Sequence, residues 1–127
     1  MNKVLLSGFV QNDVQLKSVT RDGKNYVVTT IRLGVPKAKS NQIGLYIDIV
    51  FWNELAERAS KDIKTKNYIE VEGTLVSRKY DKDNITIHKT EVIAGDFKVV
   101  SNYSVATTNN PSEDVGSVVY DDDDVPF

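Results

Sequence analysis

Hydrophobic and polar residues alternate along most of the first 100 residues, which is the pattern of half-buried β-strands. Strand patterns cover residues 4–10, 14–20, 26–35, 45–52, 68–80 and 85–94, and turn-forming residues such as Asp22-Gly23 separate several of them. We interpret the first two runs as one strand region. The pattern therefore predicts five strands.

One amphipathic helix is predicted between the third and fourth strands. Leu55, Ala59 and Ile63 recur at helical spacing as a narrow apolar stripe. Asn53 is the predicted N-cap, and Asn67 can adopt the left-handed conformation that ends a helix. Five strands with one helix after the third is the order of the OB-fold. We therefore predict an all-β fold, a five-stranded OB-fold Greek-key barrel, for residues 1–100.

The composition changes at residue 101. Residues 1–100 contain all 16 Lys and Arg and 12 of the 18 Asp and Glu, so their net charge is +4, whereas residues 101–127 carry −6. This asymmetry points to a polyanionic partner for the basic part, although many ordinary domains carry a charge of +4. Ser, Thr, Asn, Pro and Gly replace the strand pattern in residues 101–120, which are predicted to be a flexible linker.

The last seven residues combine a solvated acidic run with an apolar tip. Four consecutive carboxylates repel each other and predict a disordered acidic C-terminal tail. The run ends on an apolar segment whose proline limits the conformations lost on docking and whose phenylalanine can fill a pocket. We predict a partner-binding peptide; the alternative is a solubilising tail. The tip comprises Asp121, Asp122, Asp123, Asp124, Val125, Pro126 and Phe127.

Counting side chains in steps of two separates a core face from a candidate binding face. On the third predicted strand, the inward residues are Leu45, Ile47, Ile49 and Phe51. The opposite face of this strand, together with the outward faces of the second and fourth strands, carries three aromatic residues and two arginines: Tyr46, Trp52, Tyr80, Arg32 and Arg78. Lysines flank this face on loops and strand ends: Lys37, Lys39, Lys79 and Lys82.

Aromatic rings can stack bases of any sequence while nearby cations contact phosphates, so this face is a candidate nucleic-acid site. Packing in the core or in a subunit interface is the alternative for each ring. Asp48 lies on the same face and would repel phosphate, unless a salt bridge to Arg78 or Arg32 reduces that repulsion.

The chain resembles single-stranded-DNA-binding proteins of the bacterial and phage type. The resemblance rests on five stretches of sequence: residues 1–8 (MNKVLLSG), 50–57 (VFWNELAE), 71–80 (VEGTLVSRKY), 90–94 (TEVIA) and the tip 121–127. It implies an OB-fold that assembles as a homotetramer and binds single-stranded DNA without sequence preference. It also implies stacking by Tyr46, Trp52 and Tyr80, and recruitment of replication, recombination and repair enzymes by the tip. The chain departs from the family pattern at Asp48, where a basic residue is common, and in a loop without an aromatic residue after the second strand.

Catalytic and cofactor chemistry is not expected. The chain has no cysteine, and its only histidine is His88, so a multi-histidine or thiolate metal site is excluded. No phosphate-cradling glycine loop or nucleophile elbow is present. No signal peptide or membrane span is predicted, which favours a cytoplasmic protein. Two rival hypotheses stay open: an OB-fold RNA-binding or replication-restart accessory protein, and an interaction adaptor without a nucleic-acid role.

Overall fold

Six β-strands within residues 1–100 pair into one sheet that closes on itself where the first strand meets the third. A computed structural model describes residues 1–100. Its elements are β1 (Val4–Val10), β2 (Lys17–Arg21), β3 (Lys24–Pro36), β4 (Ile43–Trp52), α1 (Asn53–Asp62), β5 (Tyr68–Lys82) and β6 (Ile85–Val99). The strand order is β1-β5-β6-β4-β3-β2, and β1 also pairs with β3. For these 100 residues, the predicted all-β OB-fold barrel with one helix is confirmed.

The region predicted as the first strand consists of two strands. β1 pairs with β5 and, through Phe9 and Val10, with the far end of β3, whereas β2 pairs with the beginning of β3. Between them, Asn12 accepts a hydrogen bond from the Arg32 backbone N–H at 2.6 Å. The chain therefore changes partners along this region, which explains why one apolar pattern yields two strands.

The barrel interior is filled by the inward side chains of the strands and closed by α1. The Phe51 and Phe97 rings meet edge to face with centroids 5.5 Å apart. Fully or almost fully buried core residues include Val10, Ile31, Leu33, Ile49, Phe51, Ile69, Val71 and Val92. The prediction that Leu45 lies in the interior is wrong. Leu45 is 46% exposed, because it sits near the start of β4 beside the loop that follows β3.

Close backbone contacts in the barrel require glycine at two positions. A Cβ added to Gly8 would lie 2.4 Å from the Gly34 carbonyl oxygen, where β1 meets β3. A Cβ added to Gly73 would lie 2.2 Å from the Ile93 carbonyl oxygen, between β5 and β6. Both distances are far below any van der Waals contact, so a side chain at either place would force the strands apart.

The helix lies between β4 and β5, as predicted, but its ends differ in detail. Trp52 occupies the N-cap position without a side-chain hydrogen bond, and the carbonyl oxygen of the Asn53 side chain instead accepts from the Val27 backbone N–H at 3.2 Å. At the other end, the helix finishes at Asp62 and Ile63 is extended, so the left-handed conformation expected of Asn67 is absent there; Lys66, in the loop that follows, adopts it instead. Asn67 stabilises this loop by accepting a hydrogen bond from the Lys64 backbone N–H at 2.8 Å.

The helix packs through a slightly different stripe from the one predicted. Ala56, Ala59 and Ile63 are buried, and Leu55 is half-buried at the edge of the core. No helix within residues 1–100 has the length and hydropathy needed to cross a membrane. The predicted linker, residues 101–120, and the predicted acidic tip, residues 121–127, lie outside the described residues.

Candidate nucleic-acid interface

The outward surface of β3, β4, β6 and β5 brings the predicted aromatic residues and arginines onto one side of the sheet. We call this surface the platform face. The register places Arg32 opposite Asp48, Asp48 beside Glu91, and Glu91 opposite Val76, so these four residues form one row across four strands. On each strand, side chains an even number of positions from the residue in this row lie on the same face. The predicted set on it is Arg32, Tyr46, Trp52, Arg78 and Tyr80.

The three aromatic residues lie at two ends of the platform face. Tyr46 and Trp52 are six positions apart on β4, which corresponds to about 20 Å along a strand. Tyr80 is paired with Ile87 on β6. Because β6 runs parallel to β4, Ile87 lies toward the Tyr46 end. Tyr46 and Tyr80 therefore share one end of the face, and Trp52 stands at the other.

Each ring has a different environment. Tyr46 is 49% exposed. Trp52 is half-buried and contacts the Tyr26 ring in an edge-to-face arrangement, with centroids 6.3 Å apart and planes at 86°. Tyr80 lies beneath the Arg78 guanidinium, whose carbon is 5.0 Å from the ring centroid. Tyr46 thus offers the most open ring, whereas Trp52 and Tyr80 are held by neighbours that orient them.

A network of ion pairs occupies the centre of the platform face. Asp48 accepts from Arg32 Nε at 3.3 Å, and its other oxygen lies 2.8 Å from Lys89 Nζ. Glu91 accepts from Arg78 Nε at 2.9 Å and lies 3.8 Å from the same lysine nitrogen. Asp48 is 3% exposed and Glu91 is fully buried. Three cations therefore enclose two carboxylates that have little access to water.

This network changes the expected role of the two arginines. Arg32 forms the salt bridge to Asp48 that the sequence suggested, but Arg78 pairs with Glu91. The five charges sum to +1, so the centre is much less positive than two unpaired arginines would be. The carboxylates instead fix the guanidinium planes, which suits a surface that orients rings as well as attracting phosphate.

The predicted lysines are distributed unevenly. Lys37 and Lys39 lie in the loop between β3 and β4, near the Tyr46 end, and the Lys37 backbone N–H closes this loop by donating to the Gln42 carbonyl oxygen at 2.8 Å. Lys79 follows Arg78 directly on β5 and therefore points to the opposite side of the strand. The structure does not bring Lys79 onto the platform face. Lys82 is in phase with Tyr80, at the end of β5.

Three residues of this surface were missed from the sequence: Tyr26, Lys89 and Glu91. Tyr26 is in phase with Arg32 on β3, so the same count in steps of two would have found it. Lys89 and Glu91 are in phase with each other on β6, so the alternation of that strand carries the signal for both. Within residues 1–100, no group of three or more His, Cys, Asp or Glu side chains is placed to hold a metal ion.

Comparison with known proteins gives a consistent result. The model of the family described as the OSB SSB domain matches residues 1–103. The chain is 34% identical to single-stranded DNA-binding protein 2 of Streptococcus agalactiae serotype III over 84 residues, which cover 65% of this chain. That alignment spans 64% of the relative, which is under two thirds of its length.

Two relatives match over nearly their whole length. The chain is 27% identical to single-stranded DNA-binding protein 1 of Streptococcus pyogenes serotype M6 over 132 aligned residues, covering 99% of this chain and 98% of the relative. It is 30% identical to single-stranded DNA-binding protein 3 of Clostridium acetobutylicum over 147 aligned residues, covering both chains completely. The similarity therefore extends beyond the residues that form the barrel.

Proposed function

The chain belongs to the family of single-stranded-DNA-binding proteins, and from this premise we propose that it coats and protects single-stranded DNA without sequence preference. Members of the family bind DNA and are not enzymes. The observation that carries the proposal is the platform face, which presents three aromatic rings and several cations on one side of the sheet. Every base has a π-face, so such a surface holds a strand without reading its sequence.

The geometry supports a strand that runs along the platform face from one aromatic end to the other. Bases would stack on Tyr46 and Tyr80 at one end and on Trp52 at the other. The ion-pair network between them is close to neutral. Phosphate contacts of the predicted lysines would therefore concentrate at the Tyr46 end, where Lys37 and Lys39 lie, while the centre orients the rings.

The intrinsic fluorescence of the protein provides the direct test. Trp52 is the only tryptophan in the chain, so its emission reports one end of the platform face alone. We expect poly(dT) to quench this emission saturably, and added salt to reverse the effect. Tyr68→Leu is the control variant, and its emission should be quenched like that of the wild type. Tyr68 packs against Phe9, where β5 pairs with β1, away from the platform face. If poly(dT) leaves the emission unchanged and a labelled oligonucleotide does not bind, the result favours the adaptor hypothesis.

The same titration separates DNA from RNA. Poly(U) presents similar pyrimidine π-faces and the same charge, but it adds a 2′-hydroxyl on every sugar. We expect poly(dT) to bind more tightly. Equal or tighter binding of poly(U) would favour the RNA-binding hypothesis instead.

The tip is the second part of the proposal. We propose that residues 121–127 recruit replication, recombination and repair proteins to the coated strand. Four aspartates suit a basic rim on a partner, and Phe127 suits an apolar pocket within that rim. Proteins that act on a genome in replication work in the bacterial cytoplasm, where we expect this protein to be found.

We further propose a homotetramer, as the resemblance to the family implies. One barrel offers few cations to a strand, and a symmetric assembly multiplies these contacts along the same nucleic acid. Sedimentation equilibrium at micromolar concentration tests this directly, and a monomer there would contradict it and reduce the expected length of bound DNA.

A further inference from the structure

The platform face has aromatic residues at both ends but its predicted lysines at only one. Lys37 and Lys39 lie near Tyr46, in the loop that precedes β4. Trp52 is at the other end of β4, on the order of 20 Å away along the strand. A base stacked on Trp52 brings its flanking phosphates with it, and these phosphates need cations of their own.

The hairpin of β2 and β3 supplies such cations on the correct side of the sheet. Trp52 is opposite Val28, and Val28 is in turn opposite Lys17 on β2. Further along the same pairing, Arg21 lies opposite Lys24. Steps of two from Val28 along β3, and from Lys17 along β2, stay on one face. The three exposed cations of the hairpin, Lys17, Arg21 and Lys24, therefore share the face that carries Trp52.

An aromatic residue connects these cations to Trp52. Tyr26 lies between Lys24 and Val28 in the same phase of β3, and its ring contacts the indole at 6.3 Å with perpendicular planes. Both rings are half-buried, so each keeps an accessible part. The hairpin thus continues the aromatic surface past Trp52 and does not merely lie beside it.

The hairpin is also held in a defined position relative to Trp52. The Val27 backbone N–H donates to the side chain of Asn53, the residue that follows Trp52. At the tip, Asp22 and Gly23 both take positive φ angles, 55° and 76°, as a tight two-residue hairpin turn requires. Residues on both sides of this turn, from Lys17 to Lys24 and beyond, therefore keep a fixed register.

We propose that the β2–β3 hairpin is a second arm of the binding surface, in which Tyr26 contacts a base beside the one on Trp52 and Lys17, Arg21 and Lys24 contact phosphates of the same single strand. This inference rests on the proposed function and adds the path of the strand to it. Residues 17–25 carry three cations and one acid, Asp22, for a net charge of +2. The ion-pair network at the centre of the platform face carries only +1.

A charge-matched comparison tests the phosphate contacts. The variant Lys17→Gln/Lys24→Gln removes two cations from the hairpin, and Lys61→Gln/Lys64→Gln removes two exposed cations from the end of α1 and the loop after it. The measurement is the affinity for a labelled dT oligonucleotide between low and moderate salt. We expect the hairpin variant to make the negative slope of log K against log salt shallower by about 1.4, at roughly 0.7 for each lost phosphate contact. The control variant should have the slope of the wild type. Equal slopes for the two variants would overturn the proposal.

Substitutions of Tyr26 test the stacking contact. Tyr26→Phe keeps the ring, whereas Tyr26→Leu keeps much of the apolar bulk without a π-face. We expect Tyr26→Phe to bind like the wild type and Tyr26→Leu to bind about tenfold more weakly, with circular-dichroism melting confirming that both variants fold. If Tyr26→Leu binds as tightly as the wild type, and poly(dT) quenches the Trp52 emission of the wild type, the hairpin arm is overturned and the proposed function stays intact. A wild type that does not bind poly(dT) would overturn both.

Discussion

At the scale of single residues, the role of a charged side chain depends on partners that its own strand does not reveal. The sequence places Asp48 on the candidate binding face, where an isolated carboxylate would repel phosphate. The structure buries it between Arg32 and Lys89. The contact with Arg32 could be anticipated from two neighbouring strands, but Lys89 comes from β6, which pairs with β4 in parallel and is distant in sequence. Local alternation contains no information about that pairing.

The stacking residues can be ranked by substitution. We expect Trp52→Ala to weaken binding of single-stranded DNA more than Tyr46→Ala or Tyr80→Ala, because the indole has the largest stacking area. Each lost stack should cost on the order of 1–3 kcal/mol, and equally for poly(dT) and for mixed sequence. Fluorescence anisotropy of a labelled oligonucleotide measures this without relying on Trp52 emission. Trp52→Phe serves as the control that keeps a ring, and an unchanged affinity for Trp52→Ala would show that the ring serves packing alone.

Neutralising Asp48 should separate stability from affinity. Asp48→Asn leaves Arg32 and Lys89 without their shared carboxylate, and we expect the free energy of unfolding to fall by on the order of 2 kcal/mol. This is less than the 3–5 kcal/mol typical of a fully buried pair, because both cations can reach water. The released positive charge should strengthen binding at low salt. Chemical denaturation and a salt titration measure the two effects. Weaker binding would mean that Asp48 matters mainly by orienting Arg32.

An exposed ion pair at the other side of the barrel predicts an effect of acid. Arg58 donates to Asp96 at 2.7 Å, and this bond together with the Phe97 backbone N–H lowers the pKa of Asp96 below its ordinary value of 3.8. Because the folded state has the lower pKa, the contribution of Asp96 to stability is present above that value and is lost as the pH falls through the folded pKa. We expect Asp96→Asn to lower stability at neutral pH and to make its fall on acidification shallower, as followed by urea denaturation. Asp62→Asn, which also removes one exposed carboxylate, is the control variant for the change in net charge.

At the scale of elements, the predicted strands and helix are close to the observed ones because local alternation and turn residues specify them. The last hairpin illustrates both the success and its limit. Residues 68–80 and 85–94 were predicted as strands, and the observed strands extend to Lys82 and Val99. Both turn residues, Asp83 and Asn84, have positive φ angles, which is typical of tight hairpins. The order of strands in the sheet, and hence the meeting of Asp48 with Glu91 and Lys89, depends on contacts that are distant in sequence.

The pairing of β5 with β6 makes a prediction that contrasts two neighbouring glycines. A side chain at Gly73 would collide with the Ile93 carbonyl oxygen, whereas a Cβ at Gly95 would meet only the Glu72 carbonyl oxygen at an ordinary 3.7 Å. We expect Gly73→Ala to lower the free energy of unfolding by about 1–3 kcal/mol or more, because a backbone group cannot move aside as a side chain can. Gly95→Ala should be close to neutral. Thermal melting compares them, and equal melting temperatures would show that the two strands separate easily at this point.

At the scale of the whole molecule, the chain combines a basic part with an acidic one. Residues 1–100 carry +4 and residues 101–127 carry −6, yet much of the basic charge on the platform face is compensated by buried Asp48 and Glu91. The exposed cations of the β2–β3 hairpin and of the loop that holds Lys37 and Lys39 are therefore the ones for which we expect a DNA strand and the acidic residues to compete. The sequence alone reveals the division of charge, but not which cations are already paired.

Removal of residues 121–127 should separate DNA binding from partner binding. The deletion takes away four aspartates, so we expect affinity for single-stranded DNA to stay the same or to rise slightly, most visibly at low salt where screening is weak. Capture of replication proteins from a bacterial extract should drop sharply. The measurements are an oligonucleotide titration and a pull-down, performed on the same preparations.

Two variants divide the tip into its apolar and acidic contributions. Phe127→Ala keeps every aspartate but removes the group that fills a pocket, so it should reduce capture nearly as much as the deletion does. Replacing Asp121 to Asp124 by Asn keeps Val125, Pro126 and Phe127; it should slow association and remove its dependence on salt, because charge acts mainly on the encounter of the two partners. A deletion that retains its protein partners but loses DNA would reverse the assignment, since the acidic segment would then support the barrel and not the recruitment of partners.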